Sequence, residues 1–306
     1  MHAPHLGGVG AYTAGTVLAV AAAVLFAVGS VLQHEALSGR AVELRVMLRR
    51  PMWLGGQAAT ASGSLVQVAA LALAPVSIVQ PLLAGAMVIA LVVRAVWDRC
   101  LPRRGEVLGA ACTVGGLTAF LLTARPAQGR PDHLPSPVAV LGVVAGVVIL
   151  IGAAARTRRG AAPAAVVCGV CAGIAAGCGA VLISAAFKQA GHDGNPLTSV
   201  AFWFLVVAAV VAAVAAQVGS QQAYSRGALA WSLPALTVLD PLAAIPAARL
   251  LLGERLEPGH AAAWGPAALV AVVGVVLLAR TGETCRRPLL RPGAGAAGRV
   301  SARRPP

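Results

Sequence analysis

The chain has 306 residues, 58% of them apolar and 11% charged, with a net charge of +14. Such a composition cannot give a soluble domain a wettable surface, so the expected solvent is a lipid bilayer and soluble catalytic domains are excluded. The basic residues lie between apolar stretches and in the C-terminal tail, where topology and anionic lipid explain them better than nucleic acid does.

A span needs roughly 20 mainly apolar residues, and nine such runs are predicted to be helices. The first, 12–33, has no basic residue before it and is read as a retained helix rather than a secretory signal. Runs 52–74, 76–97 and 106–123 complete a first set within 1–124. A connecting helix at 137–155 falls in a 125–160 segment, and a second set at 164–187, 200–223, 229–252 and 261–279 fills 161–280. The tail from 281 to 306, with six arginines and four prolines, is expected to be disordered and to rest on anionic lipid.

Basic residues predict the orientation, because Lys and Arg in short loops stay on the cytoplasmic side. With nine spans, 19 of the 24 basic residues share one side; only Arg125, Arg130, Lys188, Arg249 and Arg255 fall opposite. The expectation is a multi-pass inner-membrane protein with its N-terminus outside and its C-terminus in the cytoplasm. Lys188 is the sole lysine beside 23 arginines, a bias that points to a GC-rich bacterial genome.

The two sets read as a repeat. Asp98-Arg99-Cys100-Leu101-Pro102 matches Glu254-Arg255-Leu256-Glu257-Pro258 at an offset of 156, which also pairs Gly109 with Gly265. Gln80-Pro81-Leu82 resembles Asp240-Pro241-Leu242 if a gap of one helical turn is allowed. The second copy would start after five crossings, an odd number, so the copies would be inverted. The predicted fold is therefore an all-α polytopic membrane protein, two inverted four-helix repeats joined by a helix, as in many secondary carriers.

Two stretches, Ala72-Leu73-Ala74-Pro75-Val76-Ser77-Ile78-Val79-Gln80-Pro81 and Leu250-Leu251-Leu252-Gly253-Glu254-Arg255-Leu256, resemble the paired EamA-type repeats of the drug/metabolite transporter superfamily. The first of them, with nine rather than ten spans, is most similar to that superfamily's NIPA-type magnesium transporter branch. The resemblance covers roughly residues 17–279. It implies movement of a metabolite, a drug or Mg²⁺ without ATP hydrolysis, and the chain has no P-loop and no motif that calls for a cofactor.

Among the side chains, Asp240 stands out as an acid about halfway along its predicted helix. A carboxylate at a span's centre costs about 2.5–3.5 kcal/mol on insertion scales, a cost tolerated for a partner or a function. Pro241 removes a backbone donor beside it and can leave a carbonyl for a cation. The bland reading makes Asp240 a protonated hydrogen-bonding contact between helices. Opposite it in the repeat stand Gln80 and Pro81. Gln67 lies three residues from Ser64 on the face of Thr60, and Gln217, Gln221 and Tyr224 recur at helical spacing. Both faces suit a solute path or simple interhelical hydrogen bonding. Glu35, closing the first helix after Gln33 and His34, either receives a cation or faces water; together with Asp240 it is the metal-binding pair if Mg²⁺ is the cargo.

Cys168-Gly169-Val170-Cys171 is a C-x-x-C inside a predicted helix with no second ligand pair, which favours packing over zinc or redox chemistry. Gly169, Gly173 and Gly177 form a small-residue stripe suited to close helix approach. The leading expectation is a secondary transporter of a small solute, with proton binding at Asp240 driving exchange, and a magnesium carrier is the alternative. A membrane enzyme needs convergent His, Asp, Glu or Cys, of which the sequence shows no cluster; a non-transporting scaffold predicts tolerant polar positions. The expected partners are lipid and the solute or cation, without nucleic acid, and a homodimer stays open.

Overall fold

The computed structural model describes residues 6–38, 44–73, 79, 82–99, 102–123, 126–127, 135–157, 160–193, 196–256 and 261–281. Gln80, Pro81, most of the 72–81 stretch and the tail beyond Thr281 lie outside them. Among the described residues nine main helices run in chain order: α1 Leu6–Leu37, α2 Pro51–Leu73, α3 Ala86–Trp97, α4 Arg104–Thr123, α5 Pro137–Ala155, α6 Ala161–Asp193, α7 Val200–Arg226, α8 Leu229–Leu252 and α9 Ala261–Thr281. A single helical turn, Leu44–Met47, links α1 to α2. A two-residue antiparallel ladder pairs Pro126 with Leu256 and Ala127 with Arg255.

Among the described residues, seven of these helices are long and apolar enough to cross a bilayer. Parts of the second and third predicted spans, 74–78 and 80–81, lie outside the described residues. Helix α2 has 23 residues and carries Gln57, Thr60, Ser62, Ser64 and Gln67. The described run Leu82–Trp97 is apolar, with a turn at Gly85 before α3.

Local chemistry sets several boundaries. Ser136 accepts from the N–H of Ala139 at 3.2 Å, and Pro137 starts α5 where its missing donor costs nothing. Ser199 caps α7 in the same way. At α4, Glu106 reaches back to the N–H of Arg103 at 2.8 Å, one half of a capping box. Gly253, at φ 66°, ends α8 in the left-handed conformation that an L side chain disfavours.

The outward surface is apolar. Val200, Val207, Val210 and Val214 of α7, Val138, Leu141 and Ile149 of α5, and Leu269 and Val273 of α9 are all exposed, as a lipid solvent demands. Inside, the helices meet on small residues. Helix α1 lies on α2 through Gly29 and Gly56, α4 on α9 through Gly109, Gly116 and Gly274, and α6 on α8 through Gly169, Gly173 and Gly177. Helix α6 also packs along α7, α1 also touches α3, and α5 sits against α6 and α7.

Candidate functional site

Three helices bring a set of uncharged polar side chains together. Gln221 of α7 donates to Gln33 Oε1 of α1 at 2.6 Å and accepts from the indole N–H of Trp53 on α2 at 2.9 Å. Gln33 donates on to Thr60 Oγ1 at 2.9 Å, and one turn along α7 Gln217 donates to Gln57 at 2.8 Å. Tyr224 completes the face, its hydroxyl bonded to Ser30 and its ring edge-on to His34 with centroids 6.5 Å apart. The predicted Gln217-Gln221-Tyr224 face is thus turned onto α1 and α2. Gln67, ten residues beyond Gln57 and so about 15 Å further along the helix, is half-buried and outside this seam.

Beyond the seam, the helix ends hold one another. A helix leaves its last four carbonyls without intrahelical donors, and here basic side chains from elsewhere supply them. Arg50 donates to Ala36 O of α1 at 2.8 Å. Arg226 spans from α7 to Ala154 O at 2.8 Å and to Ala155 O at the end of α5. His34 hydrogen-bonds the backbone of Tyr224 in the last turn of α7. Positive groups there also complement the helix dipoles.

Glu35 has a counter-ion that the sequence reading did not name. It pairs with Arg94 Nη1 at 2.9 Å, and Arg94 Nε also meets Asp98 at 2.6 Å. Between these groups and the start of α8 lies a cavity of about 350 Å³, lined by His34, Ser38, Arg94, Ser225, Arg226, Gly227, Ala228 and Trp231.

Asp240 is twelfth of 24 residues in α8, half-buried, at the α6 crossing: a Cβ on Gly173 would lie 3.1 Å from its backbone N. Pro241 removes the N–H that would have bonded to the Thr237 carbonyl. Among the described residues, no three His, Cys, Asp or Glu gather as a metal site. Cys168, Cys171 and Cys178 are free and buried.

Sequence reasoning missed the cavity. Arg226 was read only as a topology charge and His34 only as a helix-end residue, whereas Trp231 carried no reading. The available signal was Arg226, Gly227 and Trp231 clustered at a break between two apolar helices.

The chain is similar to a protein of Corynebacterium glutamicum described as uncharacterized, at 27% identity over 278 residues, covering 86% of this chain and 93% of that one. No protein-family model matches the chain. No solved structure matches it.

Proposed function

We propose that the chain is a secondary carrier of the drug/metabolite transporter type, moving a small polar solute across the bacterial inner membrane by alternating access between inverted halves. The observation that carries this reading is the seam of Gln33, Trp53, Gln57 and Thr60 against Gln217 and Gln221. It joins the first set of helices to the second with amides and an indole rather than a locked apolar core. Hydrogen bonds between membrane helices average only about 0.6 kcal/mol, so such a seam can exchange its partners for water or solute and part.

The helix contacts support the inverted arrangement. Helix α1 meets α2 and α3, as α6 meets α7 and α8, while α4 and α9, the last of each set, pair with each other. Asp240 beside Pro241, at the α6 crossing, is the group this reading assigns to the coupling ion. Arg50, Arg94 and Arg226 gather at one end of the bundle, which the positive-inside rule assigns to the cytoplasm.

The test is counterflow in proteoliposomes with labelled amino acids, sugars, nucleobases and ²⁸Mg²⁺, using wild type and Asp240→Asn. Saturable flux of an organic solute, lost in the variant, is the expected result. Flux of Mg²⁺ alone would transfer the reading to the magnesium branch. In parallel, spin labels at Leu54 and Val218 of a cysteine-free chain, both exposed positions near the seam, should give two distance populations in liposomes. No flux of any class together with a single distance would sink the carrier in favour of a non-transporting scaffold.

A further inference from the structure

The cavity at the start of α8 has a donor and acceptor pattern of its own, independent of whether the chain transports anything. Its donors dominate. Ala228, the N-cap residue of α8, lines the cavity and offers no side-chain cap to the positive end of that 24-residue helix. The Trp231 indole N–H is buried without a partner. Arg226 is held in place by carbonyl oxygens, which leave its charge unneutralised, and among the described residues no carboxylate lies within ion-pair distance of it. Arg94 lines the same cavity, its charge offset by Glu35 and Asp98.

A buried acceptor lines the cavity beside these donors. His34 is 1% exposed and its Nδ1 has no partner. Its other nitrogen is the one left to bond the Tyr224 backbone, whose N–H is committed within α7 and whose carbonyl lies in that helix's last turn. In the neutral ring, a nitrogen that donates to a carbonyl fixes the tautomer and leaves Nδ1 as an acceptor. A fully deprotonated anion would set a lone pair against a lone pair there.

We propose that this cavity binds a protonated oxyanion, a phosphate or phosphomonoester group, held by Arg226, the α8 N-terminus and the Trp231 indole, with its hydroxyl donated to His34 Nδ1. The group comes either from a soluble phosphate compound or from a phosphomonoester lipid headgroup. The cavity lies at a helix end, within reach of both.

The test is calorimetric titration of the full chain in detergent near neutral pH with inorganic phosphate, with sulfate, and with short-chain phosphatidic acid. Sulfate has the size and charge but no proton to give, and a site that leaves a buried polar group unpaired rejects a ligand strongly. Phosphate should bind at least tenfold more tightly than sulfate, and Trp231→Phe, which keeps a ring in place, should weaken phosphate about tenfold or more through loss of a hydrogen bond to a charged group. Phosphate binding assigns a soluble source. Binding of phosphatidic acid alone, with the same sensitivity to Trp231→Phe, assigns the lipid. Equal affinity for phosphate and sulfate, no binding of either phosphate form, or indifference to Trp231→Phe would overturn the proposal, and the sulfate comparison needs no variant to fold.

Discussion

The crossing of α6 and α8 gives the sharpest test of the packing. A Cβ on Gly173 would sit 2.9 Å from Leu239 Cβ and 3.1 Å from Asp240 N. Carbon atoms settle at about 3.5–4.0 Å, so α8 has to withdraw by roughly 0.5–1 Å, and Asp240 moves with it. Overpacking of this kind costs about 1–3 kcal/mol. About 1 kcal/mol returns because alanine favours helix over glycine, leaving Gly173→Ala less stable by about 0–2 kcal/mol. Gly146 of α5 is the internal control, with nothing within 4 Å of its Cβ position. There the same substitution keeps only the gain, about 0–1 kcal/mol. Equilibrium unfolding in mixed detergent and SDS micelles, followed by tryptophan emission, measures both. Indistinguishable midpoints, or a more stable Gly173→Ala, would refute the argument that backbone approach sets this crossing.

Gln221→Leu leaves the Trp53 N–H and Gln33 Oε1 without their partner, and the same unfolding assay should show a loss of about 1–2 kcal/mol; a double-mutant cycle with Trp53→Phe should return a coupling of roughly 0.5–1.5 kcal/mol. Arg226→Gln uncovers the carbonyls of Ala154 and Ala155 and should cost about 1–2 kcal/mol, with faster hydrogen exchange confined first to the last turn of α5 and the start of α6. Asp240→Asn is nearly isosteric and should leave the unfolding midpoint close to that of the wild type while abolishing flux, a separation that a purely structural role for Asp240 does not produce.

The sequence made the helices legible where their ends carry chemistry. The predicted bounds of α5 and α8 coincide with the observed ones, because Ser136-Pro137 starts one and Gly253 stops the other. Helix α6 runs to Asp193 rather than 187, since polar Lys188 and Gln189 and the single Gly191 weaken a helix without ending it. In α2 and α3 a hydropathic run does not reveal that Gln57 and Thr60 meet side chains of other helices, or that Gly85 turns the chain. The Gly169-Gly173-Gly177 stripe was readable as a close contact, and α8 is its partner. The seam was readable only as two faces, for Gln33 and Gln221 stand 188 residues apart, and no local pattern says which face meets which. Glu35 was judged without Arg94, its distant counter-ion, and so was left between water and metal.

The borrowed caps at the helix ends also impose an order of completion. Arg50 closes α1 across 14 residues, a contact available as soon as the first hairpin has entered the membrane. The carbonyls of α5 wait for Arg226, 72 residues downstream of Ala154, whereas the end of α7 finds His34 already in place from the first span. A chain emerging from N- to C-terminus therefore holds α5 with an open end through the synthesis of the next two helices. The same arginine that seals α5 lies five residues beyond Gln221, so the sealing of α5 and the first joining of the two halves fall at one moment of synthesis.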